Sequence, residues 1–469
     1  MVITPFAVLL LLIYTYILIK NKTTLKIFRS FLIVLAVVTL NIRMGYFFKI
    51  GDSMMAYRAV ITYATAVIAI YLLCKTKRIP IKLFNCVVFF VLALMINLCI
   101  AKLYPYTGQI NTINWVDYVM GERQYGYLDG SELEIGIYLV FICNCIILLA
   151  IKKTISKEDI HYIISKIIAY SKISIVLGFV EWIITNVFKS TIITKLCMLI
   201  FGSQGAQLDL LTQRGILYTI QGATKEPSMF ATAIFYISIL IIVESKNNVN
   251  AKSNNRWLFC CLLLLVINPT LSSYIYLLID FVLLFIFKMK GAGIHNKKRI
   301  IRRTIMTIIV SVFAFAFIYS NSQSWYNSSN YILHRLGNAF VQLENIIRRA
   351  NLLYSSEAIR FSSIVYNFNM WIKRPLFGFG IGSLSCISGI VTFLVGGGIV
   401  CVVLYIAVLI RFSIIDRRYT FAVVAFTIII FIIPNLLLNE YETIMCIVIP
   451  LSIYDYSLAV SNKTRIKEF

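Results

Sequence analysis

The sequence predicts an all-α, polytopic integral membrane protein with about 13 transmembrane helices (range 12–14). Two observations carry that prediction. Of the 469 residues, 60% are hydrophobic and 14% charged, and many windows of roughly 18–20 residues carry no charge, enough to cross a hydrocarbon core of about 30 Å. The basic residues gather in short connections between these windows, as positive-inside loops do. No water-soluble core would bury so many continuous apolar runs, so residues 1–469 read as a single membrane domain.

In order, apolar runs occupy about 2–19, 31–48, 59–74, 83–101, 135–151, 167–188, 227–243, 257–267, 271–287, 304–319, 387–410, 419–433 and 443–460. The run at 257–267 is short enough to be re-entrant. Lys20, Lys22, Lys26 and Arg29 follow the first run, and Lys75, Lys77, Arg78 and Lys82 the third. Lys152 and Lys153 end the fifth, a cluster from Lys288 to Arg303 follows the ninth, and Lys463, Arg465 and Lys467 follow the last. With every basic cluster cytoplasmic, the N-terminus lies outside, the C-terminus inside, and the long polar loops at 102–134, 189–226 and 321–383 face outward. The first run has no basic n-region or small-residue cleavage site and reads as a retained span.

The net charge of +24 is thus mostly topological, and nucleic acid is not an expected partner. Most of the 11 cysteines lie within apolar runs and read as small core residues. His161, His295 and His334 are far apart, so no metal site is expected.

The loop at 321–383 is the largest outward piece and the first candidate for function. Within it, Phe361, Ile364, Val365, Phe368 and Ile372 recur at helical spacing. Ser355 or Ser356 can cap such a helix, Lys373 and Arg374 close its last turn, and Pro375 ends it. An amphipathic helix of this kind lies along the membrane surface, where it meets lipid. A preceding helix presents Arg348 and Arg349 beside an apolar face. Arg335, Arg348, Arg349 and Arg360 stand on the side where positive charge is sparse. Their guanidinium forks suit a phosphate or pyrophosphate ligand, with ordinary anionic lipid as the bland alternative.

Two readings attach to the Gly378-Phe379-Gly380-Ile381-Gly382 run: a backbone nest that cradles an anion, or a tight turn with close backbone packing. In the loop at 189–226, Arg214 precedes Glu226, which stands before Pro227, a residue suited to the first position of a helix. Glu226 either caps that helix or acts as a general base towards a substrate hydroxyl. Glu181, Arg43 and Arg58 are costly in lipid and are expected to face an interior cavity.

Two stretches together resemble the bacterial O-antigen and capsular polysaccharide polymerases of the Wzy type, within the superfamily that includes the O-antigen ligases. The first is Arg214 followed by Glu226-Pro227-Ser228-Met229-Phe230-Ala231. The second runs from Arg360 to Trp371, through Arg374-Pro375-Leu376-Phe377-Gly378-Phe379-Gly380, to the glycines 396–398. Thr270-Leu271-Ser272-Ser273 is similar to that family's Thr-x-Ser-Arg start of a span, with Ser273 where the arginine is expected. The likeness covers roughly residues 205–410.

The resemblance implies inverting glycosyl transfer at the outer face of the bacterial cytoplasmic membrane. A glycan on undecaprenyl pyrophosphate passes to a hydroxyl of a new lipid-linked repeat unit. No cofactor or metal is implied, and a chain-length regulator and a flippase are the implied partners. With this resemblance Glu226 is the expected base, with Arg214 and Arg360 acting beside it and Arg335 on the pyrophosphate; Arg348, Arg349, Arg374, Gly378 and Gly380, read from their own chemistry, are further candidates to hold the pyrophosphate. The ligases carry a histidine shortly after the glycine-rich run, and none stands there here. That favours a polymerase over a ligase; a lipid-linked glycan flippase is the rival from another class.

Overall fold

A computed structural model of the protein describes residues 2–42, 46–50, 53–76, 79–106, 135–202, 213–214, 217–224, 227–245, 251–268, 270, 273–274, 276–281, 284, 316–317, 319–329, 333–334, 337, 341, 356–381, 383 and 389–413. Strand β1 (Val2–Ile3) leads into helices α1 (Pro5–Lys20) and α2 (Thr24–Asn41). Strands β2 (Tyr46–Ile50) and β3 (Ser53–Ala56) precede α3 (Tyr57–Lys75), α4 (Ile81–Leu103), α5 (Ile135–Thr154), α6 (Lys157–Asn186) and α7 (Ile192–Phe201). A two-strand ladder, β4 (Gln213–Arg214) with β5 (Leu217–Tyr218), comes before α8 (Pro227–Ser245) and α9 (Ala251–Ile267). The short α10 (Ser322–Tyr326), α11 (Ser356–Lys373) and α12 (Gly389–Ser413) complete the described elements.

The described part of the protein is mostly helical, and among the described residues six helices are long and apolar enough to cross a membrane: α2 to α6 and α12. The shorter α1, α7, α8 and α9 are apolar as well. This architecture is consistent with an all-α membrane protein. The run expected at 271–287 is described only in part, that at 304–319 mostly lies outside the described residues, and those at 419–433 and 443–460 lie wholly outside them.

Local chemistry sets several helix starts. The Thr4 hydroxyl accepts from the Ala7 amide with Pro5 at the first helical position, and Thr23 does the same for Lys26. Ser156 and Asp159 form a reciprocal capping box at the start of α6. The second span differs from expectation. It occupies Thr24–Asn41 and not 31–48, because Thr23 starts the helix early and Tyr46, Phe47 and Phe48 leave it for a strand. These aromatic residues favour a pleated surface, and β2 pairs antiparallel with both β1 and β3.

Helix α4 shows how the bundle packs. Leu83, Val87, Phe90, Leu94, Asn97 and Ala101 are buried at alternating spacings of three and four. Phe89, Leu92, Met95 and Ile96, between them, are exposed. A helix apolar all round, with only one stripe against its neighbours, suits lipid contact on the rest. Neighbour packing runs α9–α8–α6–α2–α3–α5–α4–α12–α11. At one end of the bundle, Arg29 of α2 pairs with Asp159 of α6, and Lys152 of α5 donates to the Phe412 carbonyl of α12 (2.9 Å). The opposite end carries the β1–β3 sheet, α7, the β4–β5 ladder, and the segments that precede α8 and α12.

At that second end α12 is broken. Gly398 is non-helical (φ 72°, ψ 174°), dividing the helix into two halves. The segment after α11 spans the break. Phe379 and Gly380 amides donate to the carbonyls of Val395 and Gly396 (both 2.8 Å), while Ile399 and Val400 amides donate to Pro375 (2.9 Å) and Leu376 (3.2 Å) carbonyls. Carbonyls at the end of one half and amides at the start of the other are thereby satisfied, as a lipid environment requires. The approach tolerates no side chain: a Cβ on Gly398 would lie 2.1 Å from the Leu376 oxygen, and one on Gly378 (φ 64°) 2.3 Å from the Val395 oxygen.

Two side chains from neighbouring helices secure this clasp. The Asn97 amide of α4 donates to the carbonyls of Phe377 and Gly396 (the latter 2.8 Å), and its oxygen accepts from the Tyr138 hydroxyl of α5 (2.5 Å). The Ile381 amide in turn donates to Tyr138 (2.7 Å). Replacement Asn97→Leu removes both donated bonds and is expected to cost about 1–3 kcal/mol. A lowered midpoint of thermal unfolding in detergent is the check, and an unchanged midpoint would refute the role of this side chain.

Candidate functional site

The best-defined surface chemistry stands at the junction between α11 and the broken helix. Helix α11 buries Asn367 and Met370, and Met370 packs with Phe379, Val391 and Val395. Val365, Phe368 and Ile372 lie on its exposed side, followed by exposed Leu376 beyond its end. The helix is therefore docked on α12 along one face while an apolar stripe stays uncovered, the arrangement of a helix at a membrane surface.

Lys373 and Arg374 stand at the C-terminal end of α11, where the helix dipole favours cations. The Arg374 guanidinium is 5.6 Å from the centre of the Tyr106 ring and 5.4 Å from that of Phe379. These two rings meet edge to face at 5.1 Å. The Lys373 ammonium donates to the Tyr106 hydroxyl (3.2 Å) and also sits 5.6 Å from that ring. Ring faces hold a guanidinium through cation–π attraction and leave its N–H edge available for a carboxylate or phosphate oxygen. The base of the ledge is fixed by the Trp371 indole, which donates to the Pro375 carbonyl (3.0 Å), and by the Gly378 amide, which donates to the Arg374 carbonyl (3.0 Å).

This geometry corrects the reading of Gly378 and Gly380 as anion-binding residues. Both amides donate to backbone carbonyls of the protein, so neither is free for an anion, and the close packing at Gly378 is that of a tight turn; Gly382 lies outside the described residues. Arg360 lies in the first turns of α11 and Arg374 just past its end. Fourteen residues separate their backbones by about 20 Å along the helix. Arg214 lies in β4, paired across the ladder with Leu217. Glu226, Arg335, Arg348 and Arg349 lie outside the described residues, as does Arg43.

A second constellation holds the segment before α8. Glu181 of α6 is 1% exposed. Its Oε2 accepts from the Gly222 amide (2.6 Å), and its Oε1 accepts from the Gln221 amide (3.2 Å) and the Thr194 hydroxyl of α7 (3.3 Å). In place of the interior cavity expected around Glu181, the structure shows its carboxyl group filled by backbone donors. Asn268 grips the same segment at both ends: its oxygen accepts from the Ile220 amide (3.3 Å) and its nitrogen donates to the Pro227 carbonyl (3.1 Å). Arg58, in the first turn of α3, is half-buried.

Tyr106, Asn97 and Tyr138 were not singled out by the sequence. An asparagine in the packed stripe of an otherwise apolar helix was the one signal available, since such a group needs a partner in lipid. Tyr106 gave none, because its role arises from a contact 268 positions along the chain with Arg374. No known family model, curated protein or solved structure matches the chain.

Replacement Tyr106→Leu removes the ring shared by Lys373 and Arg374 and is expected to cost about 1–2 kcal/mol, whereas Tyr106→Phe keeps the ring and costs less than half as much. Paired thermal unfolding curves in detergent give the answer; equal effects of the two variants would rule out the ring faces as the cation seat.

Proposed function

We propose that the protein is an oligosaccharide repeat-unit polymerase, acting on undecaprenyl-pyrophosphate-linked glycans at the outer face of the bacterial cytoplasmic membrane. The observation that carries this reading is the Lys373–Arg374 ledge, a pair of cations on aromatic rings beside a lipid-facing apolar stripe. A lipid pyrophosphate has the matching chemistry, with two charged phosphates joined to an apolar chain. The motif resemblance through Arg214, Glu226-Pro227 and residues 360–382 supports the same reading.

In this mechanism a hydroxyl of the acceptor repeat unit attacks the anomeric carbon of the donor glycan. The new glycosidic C–O bond forms as the bond from that carbon to the pyrophosphate oxygen breaks, and configuration inverts. The acceptor proton passes to Glu226, and the electron pair of the broken bond leaves with the pyrophosphate. Arg374 and Lys373 stabilise the charge that develops there, since fixed donors act most strongly where charge appears. Arg360, about 20 Å away along α11, holds another part of the lipid-linked glycan, together with Arg214, Arg335, Arg348 and Arg349.

The test is the surface-glycan ladder of a host lacking this gene, complemented with variants. The parent chain is expected to restore long polymer, and Arg374→Ala to lower it roughly tenfold or more, with single repeat units accumulating. Arg374→Lys, which keeps charge but loses the planar fork, falls between. Full-length polymer stranded on the lipid carrier in the deletion host would instead identify a ligase, and loss of all outer-face glycan a flippase. An unaltered ladder in that host would refute the proposal.

A further inference from the structure

We infer that Glu181 is a positioning residue, whose buried carboxyl group sets the segment 219–224 that directly precedes Lys225 and Glu226 in the sequence. One acid ties three elements together. It belongs to α6, takes the hydroxyl of Thr194 from α7, and accepts two successive amides, Gln221 and Gly222, from the segment leading into α8. Gln221, Gly222 and Thr224 are themselves buried. Within the segment, the Thr224 amide (3.1 Å) and hydroxyl (2.7 Å) both donate to the Gln221 carbonyl.

An isolated acid is costly away from water, and this one is offset by three donors, two of them peptide groups. That arrangement puts both carboxyl oxygens to holding neighbouring groups, two of them backbone amides. Gly222 completes the grip: its φ of 58° turns the chain so that consecutive amides converge on one side chain, and a Cβ there would lie 2.7 Å from the Phe230 ring. Asn268 fixes the far side by holding Ile220 and Pro227. Lys225 and Glu226 thus follow a segment anchored at Ile220, Gln221, Gly222 and Pro227. The importance of this for catalysis rests on the reading of Glu226 as the base; the anchoring itself does not.

The experiment uses the full chain in detergent with a cysteine introduced as Lys225→Cys. Its maleimide labelling rate is measured against the parent chain, whose native cysteines give the blank. Glu181→Gln puts an amide N–H where a backbone donor needs an acceptor, and is expected to raise labelling at position 225 about fivefold or more. Labelling of Asn327→Cys, in the other loop, stays within twofold. Glu181→Asp, which keeps the acid, gives an intermediate rate.

Should Glu181→Gln not yield folded protein, Thr194→Val and Gly222→Ala perturb the same grip without removing the acid, and each is expected to raise labelling at 225 at least twofold. Unchanged labelling at 225 in all folded variants, or an equal rise at 327, overturns the inference. The glycan ladder separates the two readings. Faster labelling with full polymer retains the positioning role and refutes the catalytic role of this loop, whereas lost polymer with unchanged labelling refutes the positioning role.

Discussion

A transmembrane helix can be interrupted only if the backbone groups set free are bound again, because hydrocarbon offers them nothing. The break in α12 at Gly398 is the point where that constraint shapes this protein. The carbonyls of Val395 and Gly396 and the amides of Ile399 and Val400 are all taken by residues 375–380. Asn97 and Tyr138 reach in from α4 and α5 to hold the arrangement. The ledge of Lys373, Arg374 and Tyr106 inherits its position from this clasp, since Phe379 contributes both an amide to the break and a ring beneath the guanidinium.

Broken helices in transporters often turn their free ends towards a substrate or ion. Here the ends face the protein's own loop and bond to its backbone. The segment before α8 follows the same rule with different parts. Glu181 and Asn268 hold its backbone from either side, much as Asn97 and Tyr138 hold the other. Polar side chains inside the apolar bundle thus hold backbone that no helix or ladder satisfies.

The helical membrane architecture was legible because it depends on composition and run length, which need no partner. The capped starts at Thr23 and Ser156-x-x-Asp159 were not: the helices begin at Thr24 and Lys157, before the apolar runs at 31–48 and 167–188, because a cap is set by a hydrogen bond and not by apolarity. The strand at Tyr46–Ile50 was hidden inside an apolar run, since aromatic residues suit either a span or a strand until a pairing partner is known. The glycine-rich run was visible as a special backbone, but not whether its amides met an anion or a helix break.

The sequence by itself determined an α-helical, lipid-compatible chain and which arginines and acids are unusual for such an environment. Only the tertiary structure decided which of these act together. It brought Tyr106 to Arg374, Asn97 to Phe377 and Gly396, and Glu181 to Gly222, and it set Arg360 and Arg374 at opposite ends of one helix. The reason is physical. Apolar run length is a property of neighbours in the chain, whereas a hydrogen bond across the bundle depends on packing between helices that periodicity leaves unspecified.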